Sequence, residues 1–146
     1  MTSSVVLSES QLEFLRATGP LISSRRSLEA AGHIYAEFAR LPGGAEFVYD
    51  LDKRIHSTAK LIDFLVMRFE TSPFDTDRIE KVFEAVGDSH ARAGLPIELL
   101  DAGPDIFASS LAKAVHEDGE SWTSDHSAAW RELIQQGVEI QKRSYV

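Results

Sequence analysis

The chain has 146 residues, with 23 Asp and Glu against 15 Lys and Arg, a formal net charge of −8 and no cysteine. That length suits a single domain able to bury a core without disulfide help, and the acidic balance disfavours phosphate backbones and anionic membranes as partners. The missing cysteine removes disulfide scaffolds, thiolate metal sites and a cysteine nucleophile. No apolar run approaches the roughly 20 residues of a membrane span, and Met1-Thr2-Ser3-Ser4 lacks a basic region followed by an apolar stretch. The expectation is one cytoplasmic domain over 1–146, with neither nucleic acid nor membrane as partner.

Ser8-Glu9-Ser10-Gln11 reads as a capping box opening a short helix to about Thr18, which buries Leu12 and Leu15 and stops at Gly19-Pro20. Ser23, Ser24 and Ser27 are candidate caps for a second helix, over about 27–41. Its Leu28, Ala31, Tyr35 and Phe38 recur at spacings of three and four. Leu41-Pro42-Gly43-Gly44 breaks it, and an irregular corner with Phe47 and Tyr49 follows. A long helix is predicted from Asp50 to about Glu70. Its apolar residues spread wider than one stripe, which predicts contacts on two sides.

Thr71-Ser72-Pro73 is the predicted stop, and Thr76 is the candidate cap for the next helix, whose Ile79, Phe83 and Val86 face inward before Gly94. Pro96 suits a first turn, and Gly103-Pro104 predicts a kink or interruption before Phe107, Leu111 and Val115. After a polar loop near Glu117-Asp118-Gly119-Glu120, a last helix from about Ser124 to Arg143 turns Trp130, Leu133, Ile134 and Val138 inward. Twofold alternation, hairpin signals and internal repeats are absent from the sequence. The predicted fold class is all-α, with about six or seven helices.

His90 is the residue with the clearest chemistry. Val86, Phe83 and Ile79 precede it by four, seven and eleven residues, so it continues an apolar stripe at the end of its helix. A neutral imidazole is a good axial iron ligand when its other ring nitrogen has an acceptor. Ser89, or a carbonyl one turn earlier, is the local candidate. The alternative is a core or helix-capping histidine with no ligand.

From His90 onward the chain resembles the globin family. His90-Ala91-Arg92-Ala93-Gly94-Leu95 is similar to the proximal-histidine end of the sixth globin helix, and Pro96-Ile97 with Leu100 to the opening of the seventh. Ser121-Trp122-Thr123 with Ala128-Ala129-Trp130 resembles the start of the last helix in plant and bacterial globins. The resemblance covers roughly 79–138, less than half the chain.

This resemblance implies a globin fold of about six to eight helices around haem b, with His90 as proximal iron ligand and Val86, Leu61 and Leu100 against the cofactor. Phe47 or Tyr49 then takes the aromatic place in the corner, and Tyr35 points at bound gas. His56 is a candidate distal ligand, although Lys60 one turn later is a poor neighbour for a porphyrin. A register with Leu61 on the haem makes Ser57 distal instead, and one with Ile62 makes it Thr58.

The implied function is reversible binding of O₂, NO or CO, with oxygen transport among its uses, by a monomer or homodimer. NO dioxygenation or peroxidase-like side activity would need an external reductase. Flavohaemoglobins carry a proximal tyrosine where this chain has Leu100, and the chain leaves no residues for a flavin domain. Two alternatives stand beside gas binding: a six-coordinate haem redox protein using His56, and a haem-free regulatory domain of globin fold.

Overall fold

Side-chain chemistry at the helix ends decides where this chain starts and stops coiling. The computed structural model describes residues 5–71 and 74–145. Its helices are α1 Glu9–Thr18, α2 Ser24–Arg40, α3 Leu51–Phe69, α4 Thr76–Arg92, α5 Ile97–Leu100, α6 Gly103–Glu117 and α7 Ser124–Lys142. Three-residue 3-10 turns lie at Gly19–Leu21, Ala45–Phe47 and Arg143–Tyr145. The described residues form an all-α architecture without strands, and no helix among them is long and apolar enough to cross a membrane.

The predicted capping box at Ser8 forms, with Gln11 N–H donating to Ser8 Oγ at 3.1 Å and Ser8 N–H donating to Gln11 Oε1 at 2.8 Å. Of the three candidate serines, Ser23 caps α2, so the helix opens earlier than predicted. Ser27 is instead buried and donates to Asp63 Oδ1 at 2.5 Å. Asp75 caps α4, which makes Thr76 the first helical residue and corrects its assignment as cap. A carboxylate accepts the free backbone donors and suits the positive end of the helix dipole, so it wins over the hydroxyl beside it. Of the predicted stop Thr71-Ser72-Pro73, Ser72 and Pro73 lie outside the described residues, as do residues 1–4 and 146.

The Gly103-Pro104 break proves to be a helix boundary. The single turn α5 ends at Leu100, and Pro104 sits in the first turn of α6, where its missing N–H costs nothing. At the other end of the chain Thr123 caps α7 in a box closed by a histidine, with His126 Nδ1 accepting from Thr123 N–H at 3.1 Å.

Helix α7 packs on α1, α4 and α6, while α2 packs on α3 and α6, and α1 also meets α3. Two glycines set the α4–α7 crossing. A Cβ on Gly87 would stand 2.6 Å from the Cα of Gln141, and one on Gly137 would stand 2.5 Å from the Phe83 ring. Each helix therefore gives up a side chain where the other presses in, and the axes come close enough for residues at the end of α4 to meet the end of α7. Trp130 anchors the opposite end of the core. It is fully buried, its ring meets Phe69 edge-on at 5.4 Å, and its Nε1 donates to Thr18 Oγ1 at 3.0 Å.

Candidate functional site

Helices α2, α3, α4, α6 and α7 leave between them a cavity of about 650 Å³, inside the range of roughly 300–1,000 Å³ common for small-molecule and cofactor sites. Its inner wall is apolar, from Ile34, Phe83, Phe107, Ile134 and Val138 among others. Its polar groups include three pairs, His90 with Gln141, Tyr35 with Thr58, and Lys53 with Arg54, together with Tyr49, Asp50, Ser57 and Ser89.

His90 enters from α4. Its Nδ1 lies 2.8 Å from Gln141 Oε1, so Nδ1 carries the proton and donates to the amide oxygen. Nε2 is then the deprotonated nitrogen, and the bond to Gln141 is the one hydrogen bond of the His90 ring among the described residues. Gln141 is buried and comes from α7 through the close crossing at Gly87. The acceptor predicted locally, at Ser89 or a carbonyl one turn earlier, is replaced by a side chain 51 positions on in the sequence.

Burial pushes the His90 pKa below its ordinary value of 6.5; the bond to Gln141 raises it, and the Arg54 charge lowers it again. The ring is thus held neutral, the state in which imidazole binds a metal. This fixes the sign of a pH effect. The unfolded chain takes up a proton as pH falls through 6.5, while the folded chain resists, so stability present above that pH is lost below it. Urea midpoints measured across that range should fall more steeply for the wild type than for His90→Leu. Equal slopes would remove His90 burial as their source.

Across the cavity, the Tyr35 hydroxyl on α2 lies 2.7 Å from Thr58 Oγ1 on α3. When Thr58 is the donor, the Tyr35 proton is free for a ligand in the cavity. Helix α3 presents Arg54, Ser57, Thr58 and Leu61 to the cavity, one face of two turns. The exposed Lys53 and the half-exposed Arg54 place positive charge along the same lining. Arg54 is oriented by a 2.7 Å bond from Nε to the Tyr49 carbonyl and by stacking 4.2 Å over the Tyr49 ring.

The cavity gathers His90, Tyr35, Phe47, Leu61, Val86 and Leu100 from the predicted site, and Tyr49 as well as Phe47 from the corner. His56 is outside it. Its ring is exposed, and Nδ1 lies 2.7 Å from the Asp52 carbonyl one turn back. The reason is helical phase: with Arg54, Ser57, Thr58 and Leu61 turned inward, position 56 falls on the solvent side. Of the two alternative registers, Ser57 and Thr58 both reach the lining.

Gln141, Lys53 and Arg54 were missed by the sequence reading. Gln141 had a signal, since it continues the 134–138 stripe of α7 three residues on. Among the described residues there is no cluster of three or more His, Cys, Asp or Glu suited to a metal ion. Comparison with known proteins adds no relative: no protein-family model and no curated protein matches the chain.

Proposed function

We propose that this protein is a haem-binding globin that reversibly binds a diatomic gas. The observation that carries the reading is the neutral His90 ring, its Nδ1 engaged by buried Gln141 and its Nε2 free at an apolar cavity. The all-helical packing around that cavity, with α7 on α1, α4 and α6 and α2 on α3 and α6, supports it.

The residues present fit haem b. His90 Nε2 would hold the iron, Phe47, Leu61, Val86 and Leu100 would line the ring, and Lys53 and Arg54 would meet its carboxylates. Haem ligated by one neutral histidine supplies an open coordination position for O₂, CO or NO. Gln141 orients the His90 ring, the apolar wall excludes water, and Tyr35 offers a hydrogen bond from the facing side. The six-coordinate redox alternative loses its named ligand, because His56 faces solvent.

The test is reconstitution of the purified chain with haem, read by the Soret band and by CO binding to the reduced protein. One haem per chain with a five-coordinate ferrous spectrum is expected, and no stoichiometric uptake would sink the reading in favour of a haem-free domain. The Tyr35→Phe variant should release O₂ roughly two- to tenfold faster, the equivalent of one hydrogen bond of about 0.5–1.5 kcal/mol. An unchanged dissociation rate would leave Tyr35 as a core aromatic only.

A further inference from the structure

We infer that Gln141 is a positioning residue that biases the site toward reduced iron, an inference that rests on the haem reading above. Three observations meet in it. Gln141 is 6% exposed, so water cannot replace it as the acceptor for His90 Nδ1. Its amide oxygen lies 2.8 Å from that nitrogen. Its backbone is fixed, because any side chain at Gly87 would strike the Gln141 Cα at 2.6 Å and carbonyl oxygen at 2.8 Å.

The partner of a ligating imidazole sets how strongly the other nitrogen donates to the metal. A carboxylate partner draws the Nδ1 proton away and makes Nε2 a stronger donor, which favours the more highly charged ferric state. An amide oxygen is neutral and accepts without pulling the proton. It locks the ring plane and the tautomer while leaving Nε2 an ordinary imidazole donor. The arrangement serves an iron that must remain ferrous to bind gas reversibly, and works against one that cycles through oxidation.

The Glu substitution isolates the effect, since Gln141→Glu keeps length and shape and changes only the charge of the acceptor. Gln141→Met keeps the bulk, removes the strong acceptor and guards against a variant that fails to fold. Haem-loaded wild type and both variants are compared by spectroelectrochemical midpoint potential and by the iron–histidine stretching frequency of the ferrous state.

Gln141→Glu should favour the ferric form about tenfold, a fall of about 59 mV for a one-electron couple, and raise the stretching frequency. Gln141→Met should lower that frequency or split it into two bands as the ring loses its anchor. Haem-loaded variants with the wild-type potential and a single wild-type frequency would overturn the role of Gln141 and leave His90 ligation standing. A wild type that takes up no haem would overturn the haem reading itself, and the inference with it.

Discussion

Replacing His90 by Ala should abolish stoichiometric haem uptake. His90 is the one histidine among the described residues that lines the cavity, so no neighbour can take over its Nε2. Loss of a partner in the outer shell of a metal site already costs about 10–100-fold in affinity, and loss of the ligand itself should cost at least the upper end of that range. Haem titration of both proteins, followed at the Soret band, makes the comparison. His90→Gly with added imidazole supplies the control, because the free ligand can occupy the vacated space and restore the histidine-type spectrum. His56→Ala should behave as wild type, with its ring on the solvent side and bonded only to the Asp52 carbonyl. Full uptake and an unchanged spectrum in His90→Ala would remove the assignment.

Replacing Trp130 by Ala should destabilise the fold by about 3–5 kcal/mol, the usual cost of truncating a buried large aromatic. Trp130 is 0% exposed and touches α1 and α3 together, through Thr18 and Phe69. Its removal opens a cavity and leaves buried Thr18 Oγ1 without its indole donor, although the Thr18 hydroxyl keeps its own bond to the Leu15 carbonyl at 2.6 Å. Trp130→Phe should cost less, because the ring contact with Phe69 largely survives. Urea unfolding followed by circular dichroism separates the two. A Trp130→Ala loss under about 1 kcal/mol would mean that the surrounding helices collapse into the space.

The helices were legible because local chemistry wrote them. Ser8 with Gln11, Gly19-Pro20, Pro42-Gly43-Gly44 and Pro96 are signals read over four residues or fewer, and the inward stripes of α4 and α7 follow from periodicity alone. The site was legible to the extent that each residue lay on such a stripe, as His90 and Val86 do. What escaped depended on pairs far apart in sequence. The contact of His90 with Gln141 spans 51 positions and needs the Gly87 crossing, which no local window contains. The phase of α3 escaped for a different reason. Its apolar residues cover a broad arc, so Leu61 and Ile62 were equally good anchors, and only packing against α2 and α1 decides which residues turn toward the cavity.

The bond between Trp130 and Thr18 joins positions 112 apart, and Gln136 exchanges two bonds with the Val6 backbone, 130 positions away. During synthesis α1 is therefore made long before the surface it docks on. At ribosomal rates of roughly 5–20 residues per second, Thr18 waits roughly 6–22 seconds for Trp130 to be added. Through that interval Leu15 and its neighbours have no mate on α7, and the nascent chain shows apolar surface to whatever stands at the tunnel exit. Helices α2 and α3, neighbours in sequence and in space, can meet in the meantime. The chain thus pairs its middle early and closes the ring between its first and last helices late.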